Sequence, residues 1–256
     1  MNAAAALPSS SSSVGRHWAR RRPRLVWCRQ AQGEPDVARG PSTDEVHLWS
    51  FDSENESLPQ CTALLPDAEL ESLLRLPDPA AFRLAVVARA KLRGVLAGYL
   101  GADPARLEII ARLRGRFQLA PAQARGLEFN LSYSGSAIVL VVTRGRLVGV
   151  DIEKVRPLQD LEGAMSLVLT NAEQVEVRSQ SPGPARTIRF FQFWTRKEAY
   201  LKAVGRGIGL GMRDVDALAL GSGPSVGAPG TTWSVENLDL GEGMVGAVVT
   251  QSLHDG

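Results

Sequence analysis

Apolar residues in two long stretches of the chain recur three or four positions apart, which is the spacing of a helix with one buried face. The first stretch spans residues 80–100, and the second spans residues 190–204, where several of the apolar residues are aromatic. Gly101 and Gly205 follow directly, and glycine commonly ends a helix because it adopts the left-handed conformation without strain. We therefore predict two long amphipathic helices that end at these glycines.

Shorter apolar stretches predict strands. Residues 137–142 form a nearly continuous apolar run, which is typical of a strand buried on both faces. A turn at residues 144–146 leads into a second apolar run at residues 147–152, so we predict that the two runs form a β-hairpin. Further predicted strands cover residues 46–49, 107–110, 128–132, 232–235 and 244–250, and shorter predicted helices cover residues 161–169 and 172–178.

The two long helices, each set among strands, predict an α+β fold built from two similar halves. We assign residues 41–145 to an N-terminal lobe and residues 146–256 to a C-terminal lobe. Residues 1–40 are rich in Ala, Ser and Arg and have no sustained periodicity, so we predict a disordered tail there. A targeting segment and a mis-assigned start codon are the alternatives for this stretch.

The charge is unevenly distributed, and this changes what the net charge of +2 implies. Residues 1–33 hold six arginines and no acidic residue, which leaves 23 basic against 27 acidic side chains, a net charge of −4, in the rest. A body of this charge is not typical of a nucleic-acid-binding protein. No apolar run approaches the roughly 18 residues that a membrane span requires. We therefore expect neither nucleic acid nor a membrane as a partner.

Histidine and cysteine usage excludes some site chemistries. The three histidines are scattered along the chain, which argues against a histidine-ligated zinc site and against a Ser-His-Asp triad. The two cysteines, Cys28 and Cys61, are too few for a metal motif or a disulfide framework. Two lone cysteines fit a reducing compartment, and we expect a cytoplasmic protein.

Two segments predict a phosphoryl-transfer site. Asp151 and Glu153 follow a predicted core strand and point to the same side of it, because side chains alternate along a strand. Trp194, Glu198 and Lys202 recur every fourth residue and share one face of the second long helix. If that helix packs beside the strand, three carboxylates and a lysine converge. Oxygen ligands of this kind suit Mg²⁺, and a lysine beside them suits phosphate.

Two plainer interpretations remain open. Glu198 and Lys202 also fit an exposed helix face with an ion pair four residues apart. Residues 83–116 carry eight basic side chains against two acidic ones, which fits either a solvated surface or a patch for a small polyanion.

Three segments resemble known motifs of one enzyme family. Residues 149–153 (Gly-Val-Asp-Ile-Glu) and 193–202 (Phe-Trp-Thr-Arg-Lys-Glu-Ala-Tyr-Leu-Lys) together resemble the signature pair of the 4′-phosphopantetheinyl transferases. Residues 130–135 (Asn-Leu-Ser-Tyr-Ser-Gly) resemble the Asn-(Ile/Leu)-Ser-His-Ser motif of the longer, monomeric Sfp type. The resemblance runs from about Val46 to the C-terminus.

The resemblance implies a fold and a reaction. The fold would be two pseudo-symmetric α/β lobes with the active site in the cleft between them. The N-terminal lobe would bind coenzyme A, and the C-terminal lobe would hold Mg²⁺ and the catalytic residues. The reaction would transfer the 4′-phosphopantetheine arm of coenzyme A to a serine of an apo acyl or peptidyl carrier protein and release adenosine 3′,5′-bisphosphate.

The resemblance also implies roles for individual residues. The metal ligands would be Asp151, Glu153 and Glu198. Lys202 would meet the leaving phosphate, with Lys197 as a second candidate, and Glu198 or Glu153 would accept the serine proton. The coenzyme would be bound by these lysines together with Arg89, Arg116, Ser132 and Tyr133.

Tyr133 departs from the family motif, which has histidine at this position. A tyrosine hydroxyl can donate a hydrogen bond to phosphate but carries no positive charge at neutral pH, so we expect retained but weaker coenzyme binding. A non-catalytic coenzyme A or carrier-protein binding module is the alternative function. The sequence does not indicate which carrier protein or pathway is served.

Overall fold

The computed structural model describes residues 23–28, 30–31, 34–35, 40–111, 117–205, 211–221, 231–241 and 243–252. Its strands are β1 (Arg24–Cys28), β2 (Gln30–Ala31), β3 (Glu34–Pro35), β4 (Glu45–Asp52), β5 (Ile109–Ala111), β6 (Phe117–Leu119), β7 (Leu127–Ser134), β8 (Ala137–Arg144), β9 (Val148–Lys154), β10 (Trp233–Leu238) and β11 (Met244–Gln251). Its helices are α1 (Leu58–Thr62), α2 (Asp67–Leu73), α3 (Pro79–Leu100), α4 (Pro121–Ala124), α5 (Leu161–Val168), α6 (Asn171–Arg178) and α7 (Pro184–Val204).

The first long helix, α3, is confirmed nearly as predicted. The side chain of Asp78 accepts hydrogen bonds from the backbone N–H groups of Ala80 and Ala81 and caps the helix. Pro79 occupies the first turn, where its missing N–H costs nothing. The helix ends at Gly101, whose φ of 61° lies in the left-handed region.

The second long helix, α7, begins six residues earlier than the periodicity predicts. Residues 182–184 read as a break because they include two prolines, yet Pro184 stands in the first turn of the helix, where proline is favoured. The helix ends at Gly205, as predicted, with a φ of 69°. Proline therefore marks the start of this helix.

Two sheets form the centre of the molecule. One has four strands in the order β1-β4-β8-β7, and the other has three strands in the order β10-β11-β9. Apart from the parallel pair β1 and β4, the neighbours in these two sheets are antiparallel. Two smaller two-stranded sheets pair β2 with β3 and β5 with β6.

The sheets and long helices stack in four layers, each long helix covering its own sheet. Helix α3 packs on one face of the four-stranded sheet. The other face of that sheet packs against the three-stranded sheet through valine, leucine and isoleucine side chains. Helix α7 covers the far side of the three-stranded sheet. This arrangement is an α+β fold of two similar lobes, as predicted.

The predicted hairpin of β8 and β9 is wrong. Strand β8 pairs with β4 on one edge and with β7 on the other, whereas β9 pairs with β11. The turn around Gly145, whose φ is 68°, carries the chain from one sheet to the other. A hairpin within one sheet and a turn between two stacked sheets have the same sequence pattern, a tight turn between two apolar runs. The reason is that the strands are buried on both faces in either case.

Part of the predicted tail belongs to the fold. Strand β1 lies within residues 1–40 and pairs in parallel with β4, and Arg24 forms an ion pair with Glu45. Leu25 packs against the apolar layer between the two sheets, and Cys28 packs against the core under α3. The prediction of disorder therefore does not hold for Arg24–Cys28, where a short apolar run is hidden among arginines. Residues 1–22 lie outside the described residues.

Within the ranges given above, none of the helices is both long enough and apolar enough to cross a lipid bilayer.

Candidate active site

Strand β9 and helix α7 touch at the level of the backbone. A Cβ atom on Gly149 would lie 2.0 Å from the carbonyl oxygen of Ala199 and 2.5 Å from the backbone nitrogen of Ala203. Only a residue without a side chain allows this approach. Asp151, which lies two residues further along the same face of β9, is thereby brought next to α7.

Asp151 is the most confined carboxylate of this region, with 6% of its surface exposed. Its Oδ1 accepts hydrogen bonds from Lys202 Nζ at 2.7 Å and from Ser132 Oγ at 3.0 Å. Its Oδ2 is buried and has no hydrogen-bond partner among the described residues. A buried carboxylate oxygen without a partner is unfavourable. This atom is therefore suited to bind a cation that enters the site together with the substrate.

Burial raises the pKa of Asp151, and the nearby carboxylate of Glu153 acts in the same direction. Lys202 and the hydroxyl of Ser132 oppose this rise. Lys202 Nζ also donates to Ser132 Oγ at 3.1 Å. Three side chains from β7, β9 and α7 therefore meet at one point.

The other two predicted carboxylates lie on the same two elements, β9 and α7. Glu153 points to the same side of β9 as Asp151, and its Oε2 accepts a hydrogen bond from Ser134 Oγ at 3.1 Å. Glu198 is partly buried and precedes Lys202 by four residues, so the two share one face of α7. In the described part of the chain, no group of three or more His, Cys, Asp and Glu side chains is close enough to hold a metal.

These residues nevertheless fit Mg²⁺ when part of its shell comes from the substrate. Mg²⁺ usually keeps several waters and is held by one or two carboxylates together with substrate phosphates. The unpartnered Oδ2 of Asp151 supplies one oxygen of the required kind.

Arg89 and Tyr133 extend the region toward α3. The Arg89 guanidinium lies 3.4 Å from the centre of the Phe117 ring and forms an ion pair of 3.5 Å with Glu69. Burial lowers the pKa of Arg89, while Glu69 and Tyr133 act to raise it. The side chain of Tyr133 is half exposed. The predicted site residue Arg116 lies outside the described residues.

Lys197 does not join the other predicted site residues. Its side chain is fully buried, and its Nζ forms an ion pair of 2.6 Å with Glu173 Oε2. The same ammonium donates to the carbonyl oxygens of Val168 at 2.9 Å and Met212 at 3.0 Å. These contacts tie α7 to α5, to α6 and to the segment after α7, so Lys197 holds these elements together and is not among the side chains that meet at Asp151.

Sequence reasoning missed Ser134 and Glu173. Ser134 belongs to an alternation of polar residues at positions 130, 132 and 134, which is the signal for one strand face. Glu173 stands three residues after Thr170, and together they form a capping box at the start of α6. The capping box was visible in the sequence, but the burial of its acid was not.

The comparisons with known proteins find relatives in one enzyme family. The family model described as the 4′-phosphopantetheinyl transferase superfamily matches residues 147–239, which include β9 and α7. The chain is 34% identical over 209 residues to the 4′-phosphopantetheinyl transferase HetI of Nostoc sp. (strain PCC 7120), and the match covers 80% of this chain and 87% of that protein.

Two shorter matches point the same way. The chain is 34% identical over 139 residues to a phosphopantetheinyl transferase of Thraustochytrium sp., covering 50% of this chain and 48% of that protein. It is 32% identical over 110 residues to the 4′-phosphopantetheinyl transferase psf-1 of Bacillus pumilus, covering 43% of this chain and 46% of that protein.

The fold and the comparisons together define an enzyme of the transferase class. The chain belongs to the 4′-phosphopantetheinyl transferase family, and the resemblance to its Sfp type is confirmed. The reaction of this family moves the 4′-phosphopantetheine arm of coenzyme A to a serine of an apo carrier protein.

Proposed function

We propose that the pocket bounded by β7, β9 and α7 carries out this transfer. The observation that supports the proposal most directly is the ion pair of Lys202 with Asp151, which joins one residue of each signature motif across 51 positions of the chain. The lysine ammonium is suited to the negative charge of a pyrophosphate. The unpartnered carboxylate oxygen is suited to the metal cation that accompanies the pyrophosphate.

Asp151 would hold Mg²⁺ together with Glu153 and Glu198. Bound there, Mg²⁺ would offset the negative charge that builds on the pyrophosphate oxygens of coenzyme A as the bond to the arm breaks. Asp151 contributes a carboxylate already desolvated by the fold, so its attraction for a cation is less weakened by water than that of an exposed carboxylate.

Lys202 would meet the phosphate of the leaving adenosine 3′,5′-bisphosphate. Asp151 Oδ1 and Ser132 Oγ hold its ammonium in place, so its position is set before coenzyme A binds. This preorganisation lowers the cost of stabilising charge on the leaving group. Either Glu198 or Glu153 would accept the proton of the carrier serine.

The coenzyme nucleotide would be bound by Arg89 on α3 and by Ser132 and Tyr133 on β7, with Arg116 as a further basic contact. Arg89 is held by its stacking on Phe117 and its ion pair with Glu69. A guanidinium fixed in this way suits bidentate binding of a phosphate.

A monomer in the cytoplasm is the form that we propose. Both lobes of one chain contribute side chains to the pocket, which supports a monomer. Cys28 and Cys61 are free thiols, which supports a reducing compartment.

The function can be tested with coenzyme A, Mg²⁺ and an apo acyl carrier protein. We expect mass spectrometry to show a carrier that is heavier by one phosphopantetheine group, formed only when all three components and the enzyme are present. An unmodified carrier in every reaction, with acyl and peptidyl carrier proteins both tried, would contradict the proposal.

Tyr133 gives a prediction about coenzyme affinity. We expect Tyr133→His to bind coenzyme A about fivefold more tightly at pH 7, because a partly protonated imidazole forms a charged hydrogen bond with phosphate. Isothermal titration calorimetry measures the difference, which should be larger at pH 6 than at pH 8. Tyr133→Phe is the matched control, and we expect it to bind no more tightly than the wild type. Equal or weaker affinity of the histidine variant would exclude this role for position 133.

A further inference from the structure

Strands β7 and β9 belong to different sheets but are joined by a row of side chains. Three alternate side chains of β7 accept hydrogen bonds from the backbone of β9. The bonds join Asn130 Oδ1 to Val150 N at 3.0 Å, Ser132 Oγ to Ile152 N at 3.3 Å and Ser134 Oγ to Lys154 N at 3.0 Å. Both sequences advance by two residues at each bond, so the two strands run side by side in the same direction. We call Asn130, Ser132 and Ser134 the polar ladder.

The polar ladder completes the edge of the three-stranded sheet. Strand β9 is an edge strand, and its other side pairs with β11. In an antiparallel pair, every second N–H group points away from the neighbouring strand. Without partners, the N–H groups of Val150 and Ile152 would be buried and unsatisfied, which is unfavourable. The side chains of β7 satisfy them and fix the position of β9 along β7.

Two members of the polar ladder have a second role. A serine hydroxyl has one proton to donate and two lone pairs that accept. Ser132 donates to Asp151 Oδ1 at 3.0 Å, and Ser134 donates to Glu153 Oε2 at 3.1 Å. Because each oxygen is already held by a backbone N–H of β9, each hydroxyl proton is directed at the carboxylate of the preceding residue.

The backbone of β9 and the orientation of its carboxylates are therefore set by the same atoms. We propose that the polar ladder is the device that positions the metal-binding carboxylates, with Ser134 as the positioning residue for Glu153 and Asn130 as the residue that sets the register of β9. This inference rests on the proposed function. It adds to it that residues of the N-terminal lobe determine how strongly the C-terminal lobe binds its metal.

The test is the affinity of the enzyme for Mn²⁺, a paramagnetic substitute for Mg²⁺, measured by electron paramagnetic resonance with the enzyme saturated by coenzyme A. We expect Ser134→Ala to bind Mn²⁺ about tenfold more weakly or worse, since loss of a residue that orients a ligand typically weakens metal binding 10- to 100-fold. Ser134→Thr keeps the hydroxyl and should restore most of the affinity. The Mg²⁺ concentration for half-maximal transfer should rise in parallel, with kcat recovering at high Mg²⁺.

Ser234→Ala is the matched control. Ser234 lies on β10, in the three-stranded sheet that also contains Glu153, is buried, and donates to the carbonyl oxygen of Thr250 at 3.5 Å. We expect its Mn²⁺ affinity to equal that of the wild type. Equal Mn²⁺ affinity of Ser134→Ala and wild type, in an enzyme that modifies its carrier, would overturn the positioning role and leave the proposed function intact. A wild-type enzyme that forms no carrier adduct would instead overturn the proposed function.

Discussion

Asp151→Asn is expected to lower the rate of phosphopantetheine transfer by about 10³-fold or more. The reason is that a metal contributes several kcal/mol of transition-state stabilisation, and each 1.36 kcal/mol corresponds to tenfold in rate. Asparagine keeps the shape of the side chain but removes the charge that attracts a cation. The rate of formation of the carrier adduct, followed by mass spectrometry at saturating coenzyme A, measures the effect.

The same substitution is expected to leave the fold as stable as the wild type or to stabilise it. Burial raises the pKa of Asp151, so at neutral pH the folded protein holds a carboxylate that it disfavours relative to the unfolded chain. A neutral amide removes this cost, which is a common trade between stability and activity. The thermal midpoint should therefore be equal or higher. A variant that keeps more than about a tenth of the wild-type rate, which is a loss of less than tenfold, would refute the assigned role.

Asp67→Asn is a suitable control for this experiment. Asp67 is exposed in the first turn of α2, in the other lobe. We expect it to keep the wild-type rate, because surface substitutions away from a site usually have small effects.

Lys197→Met is expected to cause the largest loss of stability. Removing one partner of a buried ion pair leaves the other charge uncompensated and typically costs about 3–5 kcal/mol. Glu173 would be that charge, since both side chains are fully buried. At roughly 2–4 °C for each kcal/mol in a chain of this size, the thermal midpoint should fall by about 10 °C. Differential scanning calorimetry or thermal circular dichroism measures the shift.

A double variant tests whether the pair acts as a unit. In Lys197→Met combined with Glu173→Gln neither charge remains, so we expect a loss of stability smaller than the sum of the two single losses. Lys154→Met is the control, because Lys154 is exposed and the same substitution there should change the unfolding free energy by about 0.5 kcal/mol or less. An unchanged midpoint for Lys197→Met, together with a raised KM for coenzyme A, would instead identify Lys197 as a coenzyme contact.

Local features of the sequence predicted that the two long helices and the apolar strands exist, but not all of their ends. The end of α3 was predictable because a glycine in the left-handed conformation marks it within a few residues of chain. The start of α7 was misjudged because proline both ends helices and occupies their first turn, and only the following residues decide between the two. The apolar runs of β8 and β9 were recognised as buried strands, but their pairing was not. Strands pair with segments that are distant in the chain, and an apolar run contains no information about which segment will be its neighbour.

For the candidate site, the sequence by itself determined which residue types are available: two carboxylates on one side of a strand, and an acid and a lysine on one side of a helix. Lys197 and Lys202 stand on the same helix, and the sequence offered both as candidates for the leaving phosphate, with Lys202 first. They differ by five residues, which is about 140° around the helix axis, and only the packing of α7 decides which of them faces the pocket. Packing turned Lys197 toward Glu173 in the core and Lys202 toward Asp151. The tertiary structure alone decided this, because the direction of a helix face is set by contacts with elements far away in the chain.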